Sequence, residues 1–213
     1  MSCPHCCYSC GPIGEDISLE TFELVLKKWG KLMKKDENNS WICIGGGEPT
    51  VHPQFWEIVD ISLKYGFPCI PINGKKIQES LDLIKLSEKN LLRVVLSLDE
   101  WHEPISDKVI NAFKKGLNKY QRKWGVEWEY KDGKIGNKSI VTIQKAVNAG
   151  RYKDGIDGCC CAMPLVKPDS SIFGCGCNDS PLIGSVENGI FDKFKDFSLL
   201  GGCSKVLLNK IKF

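Results

Sequence analysis

Short apolar runs alternate along this chain with segments in which apolar residues recur every three or four positions. The runs predict strands, and the segments between them predict amphipathic helices. The predicted strands lie at 41–44, 67–72, 92–98, 126–130 and 140–144. The predicted helices are one capped by Ser18, one with Pro53 at its first position, one over 77–88 and one capped by Ser106. Strands that alternate with helices in this way favour an α/β fold with a parallel sheet. Cys43 and Cys69 lie inside apolar runs and are expected to be core residues.

Composition and charge narrow the class of protein. The 213 residues include 29 basic and 26 acidic side chains, which leaves a net charge of +3. So balanced a charge does not favour nucleic acid or an anionic membrane as a partner. No apolar stretch approaches the roughly 18 residues of a membrane span, and no basic and apolar leader precedes Cys3. We therefore expect a cytoplasmic protein.

The densest cluster of reactive side chains is the stretch Cys3-Pro4-His5-Cys6-Cys7-Tyr8-Ser9-Cys10. Cores use cysteine singly, so four cysteines in eight residues indicate metal binding, and both zinc and iron–sulfur clusters accept thiolates. Twelve cysteines in a chain without a leader also favour metal ligands over disulfides. Cys3, Cys7 and Cys10 form a C-x3-C-x2-C group, whereas Cys3 and Cys6 form a C-x2-C pair. Three cysteines can hold a four-iron cluster with one iron open, and a zinc knuckle or a closed cluster is the alternative.

A glycine-rich turn with an acid, Gly45-Gly46-Gly47-Glu48-Pro49, follows the first predicted strand. Glycines let a backbone approach a ligand closely, and a carboxylate complements an ammonium group. Together with the cysteine loop, this turn resembles the radical S-adenosylmethionine superfamily. Members of that superfamily carry C-x3-C-x2-C after the first barrel strand and Gly-Gly-Glu-Pro after the second. The resemblance implies a partial (β/α) TIM-type barrel over residues 1–155, a 4Fe-4S cluster and S-adenosylmethionine.

The resemblance also implies a type of reaction. In the family, the open iron binds the amino and carboxylate groups of S-adenosylmethionine. One electron, from a donor such as flavodoxin or ferredoxin, cleaves the sulfonium carbon–sulfur bond. The resulting 5′-deoxyadenosyl radical takes a hydrogen atom from the substrate. The expected protein is an enzyme of unknown substrate, and a non-catalytic zinc or iron–sulfur protein is the alternative.

Several polar and glycine residues at predicted strand ends are implied to contact the cofactor. They are Gly46, Gly47, Glu48, Pro49, Asn73, Ser97 and Asp99. In the family, the glycine turn and its acid bind the amino group of the methionine moiety, and the later positions lie near the ribose and the carboxylate. A β/α barrel builds its active site at these strand ends. The alternative interpretations are a plain turn at Asn73 and a cap at Asp99, while His102 is either an acid/base group or a solvated loop residue.

A second group of cysteines lies near the end of the chain. It consists of Cys159, Cys160, Cys161, Cys175 and Cys177. Two predicted strands, 163–166 and 171–174, separate its halves, so a hairpin would bring the halves together. This arrangement resembles the SPASM and twitch extensions of the family, and it implies an auxiliary iron–sulfur cluster in a domain over 156–213. A zinc site is the alternative. Such relatives often modify peptides, so a peptide or protein side chain is the expected substrate.

The cysteine loop leaves two ligand sets open. Only two residues precede Cys3, although a barrel of this type begins with a strand before its cysteine loop. Family loops commonly place an aromatic residue or a histidine before the third cysteine, and His5 precedes Cys6 in this manner. We therefore expect that the first barrel strand is missing, that a first cysteine lies four residues before Cys3, and that Cys3 and Cys6 are the second and third ligands. The other ligand set is Cys3, Cys7 and Cys10.

Overall fold

The strands and helices fall into two compact units. The structure is a computed structural model that describes residues 6, 8, 10–33, 41–89, 91–98, 103–114, 118–121, 127–130, 140–143, 164–174, 176 and 180–190. We call Trp29–Lys145 the sheet unit, and Met1–Lys28 together with Ala146–Phe213 the terminal unit. The domain boundary that the sequence predicts at residue 155 stays a prediction.

A six-stranded mixed sheet organises the sheet unit. Its strands are β1 (Trp41–Cys43), β2 (Phe67–Ile72), β3 (Arg93–Ser97), β4 (Asn118–Gln121), β5 (Glu127–Tyr130) and β6 (Ile140–Ile143). Their spatial order is β1-β2-β3-β6-β5-β4. The predicted parallel arrangement holds for β1, β2, β3 and β6. By contrast, β5 and β4 are antiparallel to their neighbours, because the connections on either side of β5 are shorter than the dozen or so residues of a parallel crossover. Closure into a barrel stays a prediction.

One helix precedes β1 and one follows each of β1, β2 and β3, as the apolar periodicity predicts. The helices are α1 (Leu19–Met33), α2 (Phe55–Tyr65), α3 (Ile77–Glu88) and α4 (Asp107–Lys114). The predicted cap of α1 is present, because the Ser18 hydroxyl accepts a hydrogen bond from the Thr21 N–H at 3.1 Å.

The second helix begins two residues later than the sequence predicts. A 3-10 turn at Pro49–Val51 comes first, and α2 then starts at Phe55 instead of Pro53. Between these elements the Gln54 N–H donates to His52 Nδ1 at 3.0 Å, which closes a local turn. Gln54 itself has φ of −113° and ψ of 37°, outside the helical range, so the helix starts after it.

The core of the sheet unit is built from α2, β2, α3, β3 and α4. Its buried side chains are Phe55, Val59, Ile70, Ile72, Leu83, Ile84, Leu92, Val94, Leu96, Val109 and Phe113. Burying a side chain of this size contributes about 1.5–3 kcal/mol relative to leaving it exposed. Burial alternates along β2 but is nearly continuous along β3, as expected for a strand that is covered on both faces.

Two cysteines depart from the expectation that they belong to the core. Cys43 is exposed and Cys69 is half-buried. Cys43 ends β1, which is the edge strand of the six-stranded sheet, so a neighbour covers it on one side only. In β2 the buried residues are those on either side of Cys69 in sequence, and Cys69 therefore projects from the other face of the sheet.

The terminal unit contains a small antiparallel sheet. Its strands are β7 (Leu165–Val166), β8 (Ser171–Phe173), β9 (Leu182–Ser185) and β10 (Gly189–Ile190), in the spatial order β10-β9-β8-β7. In the β7–β8 turn, Asp169 Oδ1 accepts hydrogen bonds from the Ser171 hydroxyl at 2.5 Å and the Ser171 N–H at 3.0 Å. On α1, Lys28 Nζ donates to the Val186 carbonyl at 2.5 Å and to the Glu187 carbonyl at 2.9 Å.

The hairpin predicted near the end of the chain depends on five cysteines. Cys159, Cys160, Cys161, Cys175 and Cys177 lie outside the described residues. The cysteine-rich hairpin therefore stays a prediction.

Within the part of the chain that the structure describes, no helix is long and apolar enough to cross a membrane.

Candidate functional site

The glycine turn after β1 is shaped by one residue in the left-handed region. Gly46 has φ of +107°, a conformation that side chains with a Cβ rarely adopt. The turn leads into Glu48, which caps the 3-10 turn at Pro49–Val51. Glu48 Oε1 accepts a hydrogen bond from the Thr50 hydroxyl at 2.5 Å and from the Thr50 N–H at 3.3 Å. These bonds fix one oxygen of the carboxylate.

The other oxygen of Glu48 reaches the end of the neighbouring strand. Glu48 Oε2 accepts a hydrogen bond from the Asn73 N–H at 2.7 Å, and Asn73 directly follows β2. A hydrogen bond to an ionised carboxylate is about twice as strong as one between neutral groups. Glu48 is half-buried and Asn73 is 5% exposed, so water competes weakly for this bond. The carboxylate thus ties the ends of two parallel strands together.

Asn73 and Gly74 form a tight turn after β2. Asn73 Oδ1 accepts a hydrogen bond from the Lys75 N–H at 2.9 Å. Gly74 has φ of +74°, and a Cβ there would lie 2.7 Å from Leu96 Cδ1 and 2.9 Å from Ile105 Cγ2. The turn is the alternative that the sequence left open for Asn73. The role of Asn73 in binding a cofactor stays a prediction.

The end of β3 lies at the same edge of the sheet. Ser97 is the last residue of β3, is half-buried, and pairs in register with Thr142 of β6. Close by in the chain, Glu103 forms an ion pair with Lys75, which joins the segments that follow β3 and β2. Asp99 and His102 lie outside the described residues, so nothing in the structure tests their predicted roles.

In the terminal unit, the cysteine loop shows one contact that suits a metal ligand. The Cys10 N–H donates to Cys6 Sγ at 3.3 Å, and both residues are half-buried. A backbone N–H aimed at sulfur favours the thiolate, which is the form that binds metals. Cys3 and Cys7 lie outside the described residues. Among the residues that the structure does describe, no group of three or more metal-ligating side chains is gathered, so the ligand set stays a prediction.

A contact that the sequence did not predict joins the two cysteine-rich segments of the terminal unit. The ring of Tyr8 lies so close to Gly176 that a Cβ at position 176 would overlap it. Tyr8 belongs to the N-terminal cysteine loop, and Gly176 stands between Cys175 and Cys177 in the sequence. In the sequence, the glycine between two cysteines is the signal of a close contact at this position. The sequence does not indicate which side chain packs against that glycine.

The residues that follow the ends of neighbouring parallel strands indicate the architectural class of the sheet unit. Gly46, Glu48, Asn73 and Ser97 all follow or end β1, β2 or β3. The carboxyl ends of parallel strands meet at one edge of a sheet, and β/α proteins bind their ligands at that edge. The sheet unit therefore has the architecture of a β/α protein with a candidate ligand site at this edge.

Comparisons with known proteins narrow this class. No family model matches the chain, and no solved structure matches it. Mycofactocin maturase MftC of Mycobacterium ulcerans (strain Agy99) is 29% identical over 115 residues. The match covers 53% of this chain and 29% of that protein, so the chain matches less than a third of the length of this curated relative. This similarity supports the radical S-adenosylmethionine superfamily for the chain, at the level of the superfamily and not of the substrate.

Proposed function

We propose that this protein is a radical S-adenosylmethionine enzyme that abstracts a hydrogen atom from a peptide or protein side chain. The observation that carries the proposal is the Glu48 carboxylate, held by hydrogen bonds at the carboxyl end of a parallel sheet after a glycine turn. The cysteine loop and the similarity to a maturase support it. When bound, a reduced 4Fe-4S cluster supplies the electron that cleaves the sulfonium carbon–sulfur bond.

The sheet unit would bind the cofactor. Hydrogen bonds from Thr50 and Asn73 hold the Glu48 carboxylate in one orientation before any ligand arrives. A carboxylate that is already fixed loses little conformational freedom on binding, and its charge complements the ammonium group of the methionine moiety. Gly46 and Gly47 let the backbone approach the ligand. Asn73, Ser97 and Asp99 are the proposed contacts to the ribose and the carboxylate.

The terminal unit would hold the metal centres. Cys6 and Cys10 belong to the proposed cluster loop, and the N–H bond between them suits a thiolate at Cys6. A second centre would use cysteines from Cys159–Cys161 and from Cys175 and Cys177. The contact between Tyr8 and Gly176 supports this part of the proposal, because Tyr8 belongs to the cysteine loop and Gly176 stands between Cys175 and Cys177 in the sequence.

Anaerobic reconstitution with iron and sulfide tests the proposed function. Reconstituted protein should absorb broadly near ~400 nm, as iron–sulfur proteins do. With dithionite and S-adenosylmethionine it should release 5′-deoxyadenosine. Cys6→Ser and Cys10→Ser distinguish the two ligand sets. The iron content should fall in Cys6→Ser if Cys6 is a ligand, and in Cys10→Ser if Cys10 is a ligand. Protein that takes up no cluster and binds no S-adenosylmethionine after full reconstitution would contradict the proposal.

The role of Glu48 needs a variant that removes charge but keeps shape. Glu48→Gln should weaken the binding of S-adenosylmethionine by about 1.5–3 kcal/mol, because a charge-assisted hydrogen bond is lost. That loss corresponds to roughly 10- to 150-fold in Kd. The iron content should not change. Glu57→Gln, on the exposed side of α2, is the matched control and should leave both quantities unchanged. Iron lost in proportion to cofactor binding would assign Glu48 a structural role instead.

The competing function is that of a non-catalytic zinc or iron–sulfur protein. It is favoured by one observation: the contacts of Glu48 and Asn73 also stabilise the turns in which these residues lie. Metal analysis identifies a zinc protein, which is also colourless, whereas a non-catalytic iron–sulfur protein would take up a cluster and release no 5′-deoxyadenosine from S-adenosylmethionine. Replacing Cys175 and Cys177 by alanine should lower the metal content and leave the N-terminal cluster intact if a second centre exists. Unchanged iron and zinc in that variant would identify these cysteines as free thiols.

A further inference from the structure

Two thiols and a guanidinium lie in one row across the parallel strands of the sheet unit. Cys43 of β1 is paired in register with Cys69 of β2, and Cys69 is paired with Arg93 of β3. Residues paired in register on parallel strands project from the same face of a sheet. The three side chains therefore share one face, opposite to the face that carries Ile70 and Ile72.

The two thiols are in contact and accessible to reagents. The side chains of Cys43 and Cys69 are hydrogen-bonded to each other, and the Ile44 N–H donates to the Cys69 carbonyl at 3.0 Å. Cys43 is exposed and Cys69 is half-buried. Neighbouring strands lie about 4.7–4.9 Å apart, within the roughly 4.4–6.8 Å between Cα atoms that a disulfide spans. A bond between the two sulfurs is therefore compatible with the strand pairing.

The surroundings make the two thiols unequal. The hydrogen bond from Cys43 lowers the pKa of Cys69, burial opposes this, and the charge of Arg93 lowers the pKa further. The same hydrogen bond raises the pKa of Cys43, with desolvation and the charge on Cys69 acting in the same direction. These surroundings favour the thiolate at Cys69 over a thiolate at Cys43. An attacking thiolate beside a second thiol that resolves the mixed disulfide is the arrangement that thiol–disulfide exchange requires.

We propose that Cys43 and Cys69 form a redox-active dithiol that reacts with low-molecular-weight disulfides. The Cys69 sulfur attacks one sulfur of the reagent, whose sulfur–sulfur bond breaks, and one small thiol leaves with a proton. The Cys43 sulfur then loses its proton, attacks Cys69 in the mixed disulfide and releases the second small thiol. Two protein thiols are oxidised, and one small disulfide is reduced to two thiols. The proposal is independent of the proposed function, because it involves neither Glu48 nor the cysteine loop.

Peptide mapping of the full chain tests the proposal. The reduced protein is incubated with oxidised glutathione, remaining thiols are blocked with N-ethylmaleimide, and the protein is digested with trypsin. Cleavage after lysine places Cys43 in the peptide 36–64 and Cys69 in the peptide 65–75. We expect these two peptides to appear joined by a disulfide, with a mass two hydrogen atoms below their sum. The proposal is wrong if Cys43 and Cys69 are both found alkylated by N-ethylmaleimide. It is also wrong if each of the two cysteines carries its own glutathione and the peptides are not joined.

Variants test the roles of the three residues. Cys43→Ser should stop at a glutathione adduct on peptide 65–75, while Cys69→Ser should react several-fold more slowly at Cys43. Arg93→Met should slow the first step by roughly three- to tenfold, because less Cys69 is ionised. Arg93→Lys keeps the charge and serves as the matched control. Equal rates for Cys43→Ser and Cys69→Ser would overturn the assignment of Cys69 as the attacking sulfur, even if the arginine variants fail to fold.

Discussion

The hydrogen bonds of Glu48 make the sheet unit sensitive to a single substitution, Glu48→Ala. Three donors point at this carboxylate: the hydroxyl and N–H of Thr50, and the N–H of Asn73. Thr50 is 6% exposed and Asn73 is 5% exposed. Because these residues are buried, water cannot readily replace the carboxylate after the substitution.

The expected loss of stability follows from these contacts. Losing the capping interaction with Thr50 costs about 1 kcal/mol. Leaving the buried Asn73 N–H without its acceptor costs about 1–3 kcal/mol more. The free energy of unfolding should therefore fall by about 2–4 kcal/mol, a large share of the 5–15 kcal/mol typical of a folded domain.

Urea unfolding of the metal-free protein, followed by circular dichroism, measures this change. At a slope of about 2 kcal/mol/M, the midpoint should fall by about 1–2 M. Glu48→Gln keeps one acceptor oxygen and should lose about half as much. Thr50→Val removes the hydroxyl donor alone and should lose about 1 kcal/mol. A midpoint for Glu48→Ala within about 0.2 M of the unaltered protein would refute the reasoning, since the three hydrogen bonds would then contribute nothing measurable.

Three further predictions concern two glycines and one carboxylate. Gly74→Ala should lower the free energy of unfolding by about 2–4 kcal/mol, because the left-handed backbone and the neighbouring leucine both resist a Cβ; an unchanged urea midpoint would contradict this. Gly176→Ala should destabilise the unaltered protein by about 1–3 kcal/mol but be nearly neutral in a Tyr8→Ala background, and equal thermal shifts in both backgrounds would count against the contact. The hydrogen bonds from Ser171 lower the pKa of Asp169, so the stability that this carboxylate contributes is complete above its ordinary pKa and is lost as pH falls through the lowered value. An NMR titration of Asp169 with a midpoint at or above 3.8 would exclude that shift.

Local pattern was sufficient to predict the elements of the sheet unit between β1 and α4. The observed bounds of β2 (Phe67–Ile72) and α3 (Ile77–Glu88) coincide with the predicted ranges. In both cases an apolar run or a helical face stands between clear turn signals, and the Asn73-Gly74 pair is one of them. The placement of Gly46, Glu48 and Asn73 at strand ends followed from the same pattern, because a turn that follows a parallel strand must lie at the carboxyl edge.

Features that depend on strand pairing could not be predicted in this way. β4 (Asn118–Gln121) has polar residues around a single aromatic one, Tyr120, so no apolar alternation marked it as a strand. The Cys43–Cys69–Arg93 row exists only once the register of three strands is known, and register is set by contacts distant in sequence. The bond from the Asn73 N–H to Glu48 likewise joins residues that are 25 apart in sequence, with α2 and β2 between them. Each of these features is a non-local contact.

The bond between the Asn73 N–H and Glu48 has a spectroscopic consequence. An amide proton in a hydrogen bond of 2.7 Å to a carboxylate feels the charge and position of that carboxylate directly. The Asn73 amide resonance therefore reports on Glu48 without any change to the protein. A ligand cation that draws the carboxylate away would shift this resonance, while amides of the β7–β8 turn would serve as an internal reference. The Asn73 N–H, through its bond to Glu48, thus becomes a probe of whether the glycine turn is occupied.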